Sequence, residues 1–172
     1  RSSARNTCAA ELALTTGMRL SEWSTLLDIE VPAESGGAPV ALQACAKNGR
    51  SRRVYIPAST VESINLYPDT ERVSLVRKSQ SSLRQKLPSL AIVSEIDCSV
   101  GKLTYAIDGQ PKRVPIAGIP IDVRRRLVRV QDSGFVEPLS LFVGKGGKPP
   151  TQRRWHQYFV DANERLIMFA DE

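Results

Sequence analysis

The sequence predicts a mixed α+β fold, mainly helical, with small antiparallel sheets. Three observations predict it. Apolar residues recur at helical offsets in runs near both ends of the chain, residues 9–14 and 155–166. Two stretches rich in β-formers flank Asn48-Gly49 and Asp108-Gly109, the dipeptides that favour tight hairpin turns. The 172 residues are 41% hydrophobic and 24% charged, the balance of a globular domain that can bury a core without metal or disulfides.

Taken in order, Asn6 or Thr7 caps a first helix built on Ala9, Ala10, Leu12, Ala13 and Leu14, and Gly17 ends it. A second short helix spans 21–27 with Ser21 as its cap. Pro32 and Ser35-Gly36-Gly37 then break the pattern. Residues 40–45 and 53–56 form a hairpin connected through 47–51. The stretch 58–86 is helical, with a break at Pro68 and Asp69 capping the second piece. Val73, Val76 and Leu83 mark its apolar side, and Arg77, Lys78, Arg84 and Lys86 face elsewhere. Residues 90–96, 103–107 and 113–116 are strands. Asp122 caps a basic helix over 123–130, with Arg124, Arg125, Arg126 and Arg129 on a solvated face. Residues 139–143 are a strand or extended stretch, and 144–150 form a flexible, basic loop. Thr151 caps a final helix with Trp155, Phe159, Ala162 and Leu166 as its apolar stripe.

Composition narrows the function classes. The formal charge of +6 is spread along the chain rather than gathered in a tail, which suits a polyanion such as DNA or RNA. Cys8, Cys45 and Cys98 are odd in number and scattered, so a disulfide framework is not expected and a reducing cytoplasm fits. One His and three scattered Cys lack the spacing of a zinc site, and no cofactor is expected. No apolar run approaches the roughly 18–20 residues of a membrane helix. Arg1-Ser2-Ser3-Ala4-Arg5 has no apolar segment behind it and does not read as a secretory signal.

The sharpest motif is Thr15-Thr16-Gly17-Met18-Arg19-Leu20-Ser21-Glu22. An apolar helix ends at a glycine, Arg19 follows, and Glu22 stands three residues on. At that offset on a helix a carboxylate can hold the guanidinium, which then presents a planar fork to a phosphate. The second cationic feature is Lys47 on the hairpin tip, beside Arg50, Arg52 and Arg53.

These residues resemble the first half of the tyrosine recombinase (phage integrase) catalytic domain. The match is an apolar helix, T-G-M-R-L-S-E, a strand, then Lys47-Asn48-Gly49-Arg50-Ser51-Arg52-Arg53-Val54-Tyr55-Ile56-Pro57. Further on, Pro138-Leu139-Ser140-Leu141-Phe142-Val143, Gly146-Gly147-Lys148-Pro149 and a Trp-bearing helix are similar to the segment before the family's second catalytic box. The resemblance covers about half the chain. It implies an integrase-like DNA breaking-rejoining fold and site-specific recombination through a 3′-phosphotyrosine. It also implies double-stranded DNA as partner, a tetrameric synapse on it, and a nucleoid-associated place in the cytoplasm. By the same resemblance Arg19, Glu22 and Lys47 are catalytic, and Arg50, Arg52, Arg53, Lys145 and Lys148 contact DNA.

The sequence departs from the family pattern in three ways. The H-x-x-R box is missing: His156 is followed three residues later by Phe159. The four tyrosines all precede the place where that box would begin, so the chain is expected to be a partial catalytic domain, inactive alone. A strand-rich unit over about 87–129 is inserted, which leaves Lys112 as an alternative to Lys47. The rival function is a non-catalytic nucleic-acid-binding module on the same scaffold.

Overall fold

The computed structural model describes residues 3–31, 36–46 and 50–170. The first helix, α1 (Ala4–Thr16), begins earlier than Asn6 or Thr7, because its cap comes from elsewhere in the chain. The Glu71 carboxylate accepts the Ser3 hydroxyl at 2.8 Å and the Arg5 N–H at 3.2 Å, so an acid sits over the free amides of the first turn. Gly17 closes the helix with φ +61° and its N–H on the Ala13 carbonyl, a conformation that costs any side chain a Cβ clash. Arg19, not Ser21, caps the four-residue α2 (Leu20–Trp23).

The first hairpin is present as β1 (Ala38–Leu42) and β2 (Arg52–Ile56), antiparallel, with Val40 opposite Val54. Pro68 does not break the helical stretch that follows. From α3 (Ala58–Tyr67) the chain passes through a π-helical turn, Pro68–Arg72, into α4 (Val73–Lys78). Pro68 keeps helical dihedrals, −55° and −42°, and the wider turn accommodates its ring and missing N–H. Asp69 therefore lies inside the turn rather than at a helix start. The actual interruption is Ser79, before α5 (Gln80–Gln85).

A five-stranded sheet occupies the next part of the chain. Its strands are β3 (Ala91–Asp97), β4 (Lys102–Ile107), β5 (Gln110–Pro115), β6 (Leu127–Val130) and β7 (Val136–Pro138), in the order β5-β4-β3-β6-β7. Asp108-Gly109 joins β4 to β5. The expectation of antiparallel sheets fails at one pairing: β6 runs parallel to β3, so the sheet is mixed. The sheet also continues past residue 129, through β7.

The expected basic helix over 123–130 is the largest error in the sequence reading. One helical turn, α6 (Ile121–Arg124), leads straight into β6, because Leu127-Val128-Arg129-Val130 carries two β-branched valines and buries Leu127 and Val128. Nor is the arginine run a solvated face throughout: Arg129 is exposed and Arg126 half-exposed, but Arg124 and Arg125 turn inward. Arg124 is fully buried: it donates to both oxygens of Glu30 at 2.7 and 3.0 Å and to the carbonyls of Ile116 and Ile119. Arg125 donates to the carbonyls of Pro149 and Pro150. The 144–150 loop is correspondingly packed rather than free. Gly147 is buried so tightly that a Cβ there would stand 2.6 Å from Leu83.

Thr151 does cap the last helix, α7 (Gln152–Ala170), accepting the Arg154 N–H at 3.2 Å. Of its apolar stripe, Trp155 is fully buried, Phe159 is partly exposed, Ala162 is exposed and Leu166 lies outside the described side chains. Trp155 anchors the main core, edge-on to Trp23 and Phe142, where α1, α2, the first hairpin and α3 meet. A second core lies under the sheet around Leu103, Tyr105 and Leu127, and a third joins α4 and α5 to Val128, Val136 and Val143. The three cysteines are free. Among the described residues no helix is long and apolar enough to cross a membrane, and no group of His, Cys, Asp or Glu is placed to hold a metal.

Arg124 ties Glu30, the α6 turn and the approach to β6 into one buried pair, and removing one partner of such a pair strands the other. Arg124→Ala is expected to cost about 3–5 kcal/mol of unfolding free energy by urea denaturation. A loss below about 1 kcal/mol would mean that the pair is not buried in solution.

Candidate nucleic-acid interface

The predicted motif folds into a three-residue charge cluster. Glu22 sits in the first turn of α2 with its side chain wholly buried. Its Oε2 accepts the Arg19 backbone N–H at 2.7 Å, and its Oε1 accepts the Arg19 guanidinium at 3.3 Å. On its other side Oε2 takes Nη2 of Arg52 from β2 in a short charged hydrogen bond. Burial alone would raise the Glu22 carboxyl. The Arg19 amide and the two guanidiniums outweigh that and hold it below the ordinary carboxylate range.

This pairing fixes two elements against each other. Arg52 alternates with Val54 and Ile56 on the inward face of β2, so its guanidinium reaches back to α2. Ser21 adds a bond from its hydroxyl to the Cys45 carbonyl at 3.5 Å, three residues past the end of β1. Both strands of the hairpin are thereby held beside the start of α2, and Arg19 keeps a half-exposed side chain there.

The remaining expected residues are distributed as follows. Lys47 lies outside the described residues, as do Asn48 and Gly49. Arg50 is exposed just ahead of β2. Arg53 is exposed on the face of β2 opposite Arg52. Lys145 and Lys148 are exposed, but their loop is at the other end of α1: Arg5, in the first turn, donates to the Val143 carbonyl. With about 1.5 Å of rise per residue, α1 separates that loop from Arg19 by roughly 20 Å. Lys112 stands exposed on the edge strand β5. His156 is exposed, and Tyr158 is half-buried under Arg5 and Arg154, whose guanidinium carbons lie 4.6 and 5.1 Å from its ring centre.

Sequence reasoning assigned Arg52 to DNA and missed it as the partner of Glu22. The two-residue period of β2 was the available signal. It also missed Arg72, which is buried and donates to Asp28 at 3.1 Å, to Glu137 at 3.4 Å and to the Ser140 carbonyl. Nothing local distinguishes Arg72 from Arg77, because its partners come from remote parts of the chain. No family model, curated protein or solved structure matches this chain.

A carboxylate held below its unfolded pKa adds stability that is full above the unfolded value and is lost as the pH falls through the folded one. Glu22→Gln is therefore expected to be about 2 kcal/mol less stable than the parent at pH 7. The gap should close as the pH is lowered below the ordinary carboxylate range. Parallel urea titrations from pH 7 to pH 3 measure it; a gap that stays constant would mean that the charge on Glu22 contributes nothing.

Proposed function

We propose that this chain is a DNA-phosphate-binding part of a tyrosine recombinase catalytic domain with an integrase-like fold, acting in site-specific DNA recombination. The observation that carries the reading is the shared Glu22 carboxylate, which joins Arg19 to the hairpin strand bearing Arg52. A guanidinium so fixed, beside a strand that brings Arg52 to the same carboxylate, offers a cation to a phosphodiester, and the resemblance assigns Lys47 as the second.

In this reading Arg19 neutralises a non-bridging oxygen of the scissile phosphate as charge builds on it. Lys47 protonates the departing 5′-oxygen while a tyrosine forms the 3′-phosphotyrosine bond. Glu22 is a positioning residue: its buried carboxylate holds Arg19 and meets no substrate. Arg50 and Arg53 contact the flanking backbone. Lys145 and Lys148, at the far end of α1, contact phosphates at a different point on the duplex. Cleavage in this reading also requires an H-x-x-R box and a nucleophilic tyrosine, which these 172 residues do not show, with a synapse of several copies on DNA. The alternative is a nucleic-acid-binding module without cleavage chemistry, and the same cluster supports it, because phosphate binding needs only the cations.

The chain is expected to bind duplex DNA with an affinity that falls steeply with salt. Arg19→Ala should weaken binding about tenfold at fixed salt and lower the slope of log affinity against log salt by about one. Fluorescence anisotropy on a labelled duplex measures both. Absence of binding at low salt, or an unchanged affinity for Arg19→Ala, removes the proposal. Joined to a segment that carries the box and tyrosine, Lys47→Ala should slow cleavage and a 5′-thiol leaving group should restore it. Binding without any cleavage in that context selects the alternative.

A further inference from the structure

A cleft of about 390 Å³ lies between α4 and the β6–β7 connection, remote in sequence from the Arg19 cluster. Arg72, Val76 and Arg77 form one wall, and Ser133, Phe135 and Glu137 form the other. Its volume falls within the range of small-molecule pockets, roughly 300–1,000 Å³. We propose that this cleft binds a small, flat organic anion, with its acid group on Arg72 and Arg77 and its apolar body against Val76 and Phe135.

Arg72 carries most of the weight. Its side chain is only 5% exposed, yet Nε has no hydrogen-bond partner among the described residues. A buried, charged donor left unpaired is costly, and an anion drawn into the cleft that Arg72 lines offsets that cost through its charge. The rest of the guanidinium is already oriented: Nη2 binds Asp28 and the carbonyls of Pro138 and Ser140, and Nη1 binds Glu137. Arg77 is exposed and free to close on a bound acid from the mouth. In the lining itself two guanidiniums face the single carboxylate of Glu137, and the second acid on Arg72, Asp28, stands behind it outside the lining, so the cleft presents its cations to an anion. Glu137 is a weak competitor, since it stands 3.4 Å from Arg72 and is one-third exposed. Val76 and Phe135 supply the apolar contact that a bare inorganic ion would leave unused.

The acid behind Arg72 gives the cleft a pH dependence. Burial pushes the Asp28 carboxyl up to about 6, although Arg72 draws it down. The charged groups facing Asp28 are Arg72, Glu137 and Arg129. Below that pH Asp28 loses its charge, and Arg72 is left with one carboxylate instead of two. Anion affinity therefore rises as the pH falls through about 6.

The test titrates the full chain, isotopically labelled, with naphthalene-2-carboxylate, naphthalene-2-sulfonate and the neutral 2-naphthalenemethanol at constant ionic strength, following amide shifts. Both anions should shift the amides of Val76, Gln131, Ser133 and Phe135, and the alcohol should bind at least about tenfold more weakly. Arg77→Glu, a surface change that leaves the fold intact, should weaken the anions about tenfold. The sulfonate, charged at every pH, should bind more tightly at pH 5 than at pH 7.5, and Asp28→Asn should abolish that difference. The proposal is overturned if no lining amide shifts, if the alcohol binds as well as the anions, or if the shifts gather at Arg19 and Arg52 instead. The last result would also leave the DNA reading standing, so the two fail separately.

Discussion

A carboxylate with no exposed surface, Glu22, is the constraint on which the cationic end of the molecule depends. Its two oxygens serve three donors from two elements: the Arg19 amide, the Arg19 guanidinium and the Arg52 guanidinium. Two exposed arginines brought together without it would repel each other and turn freely in water. With it, each keeps a fixed bearing at a modest cost in side-chain entropy, because one anchor is shared and already buried. The Gly17 cap sets where α2 begins, and the inward register of β2 sets where Arg52 arrives. Local backbone geometry thus converts a sequence motif into a directed charge.

The same device recurs deeper in the molecule with a different outcome. Arg124 and Arg72 each join segments distant in sequence through one guanidinium, but both are enclosed and make most of their bonds to backbone carbonyls and buried acids. Arg124 is saturated by Glu30 and its carbonyls and reads as a structural bolt. Arg72 differs in lining an open cleft and in having an enclosed Nε without a partner among the described residues. The distinction between scaffold and site lies in that leftover donor, not in the residue type or in the degree of burial.

How much of this was legible in the sequence depends on how local the cause was. Gly17, Asp108-Gly109 and the Thr151 cap act within a few residues, and all three were readable. The strands of the first hairpin were located to within three residues, because their apolar runs are short and lie between residues that break helices. The start of α1 was not readable, since its capping acid is Glu71, reached only through the tertiary fold. The strand character of residues 127–130 was present in their β-branched alternation but was masked by the preceding arginines, which suggest a helix face. Arg52 was visible as a cation, while its engagement with Glu22 required the register of β2. The pairing of β6 with β3 had no local sign at all, because a parallel neighbour is chosen by the path of the chain between them.

The charge argument changes once burial is known. The net +6 counts Arg5, Arg72 and Arg124 alike with the surface lysines, although these three are buried. Two of these charges are matched by acids at the same depth or just above it, Glu30 on Arg124 and Asp28 and Glu137 on Arg72, while Arg5 rests on Asn6, the Val143 carbonyl and the Tyr158 ring. The interior is therefore close to neutral, and the cationic excess stays on the outside, where it can act on a polyanion. Part of it gathers at Arg19 and the hairpin, and part at the far end of α1 around Lys145, Lys148 and Arg154. On the proposed nucleic-acid-binding reading, a surface divided in this way would meet the phosphate backbone at two separated points, and such contacts set orientation rather than sequence.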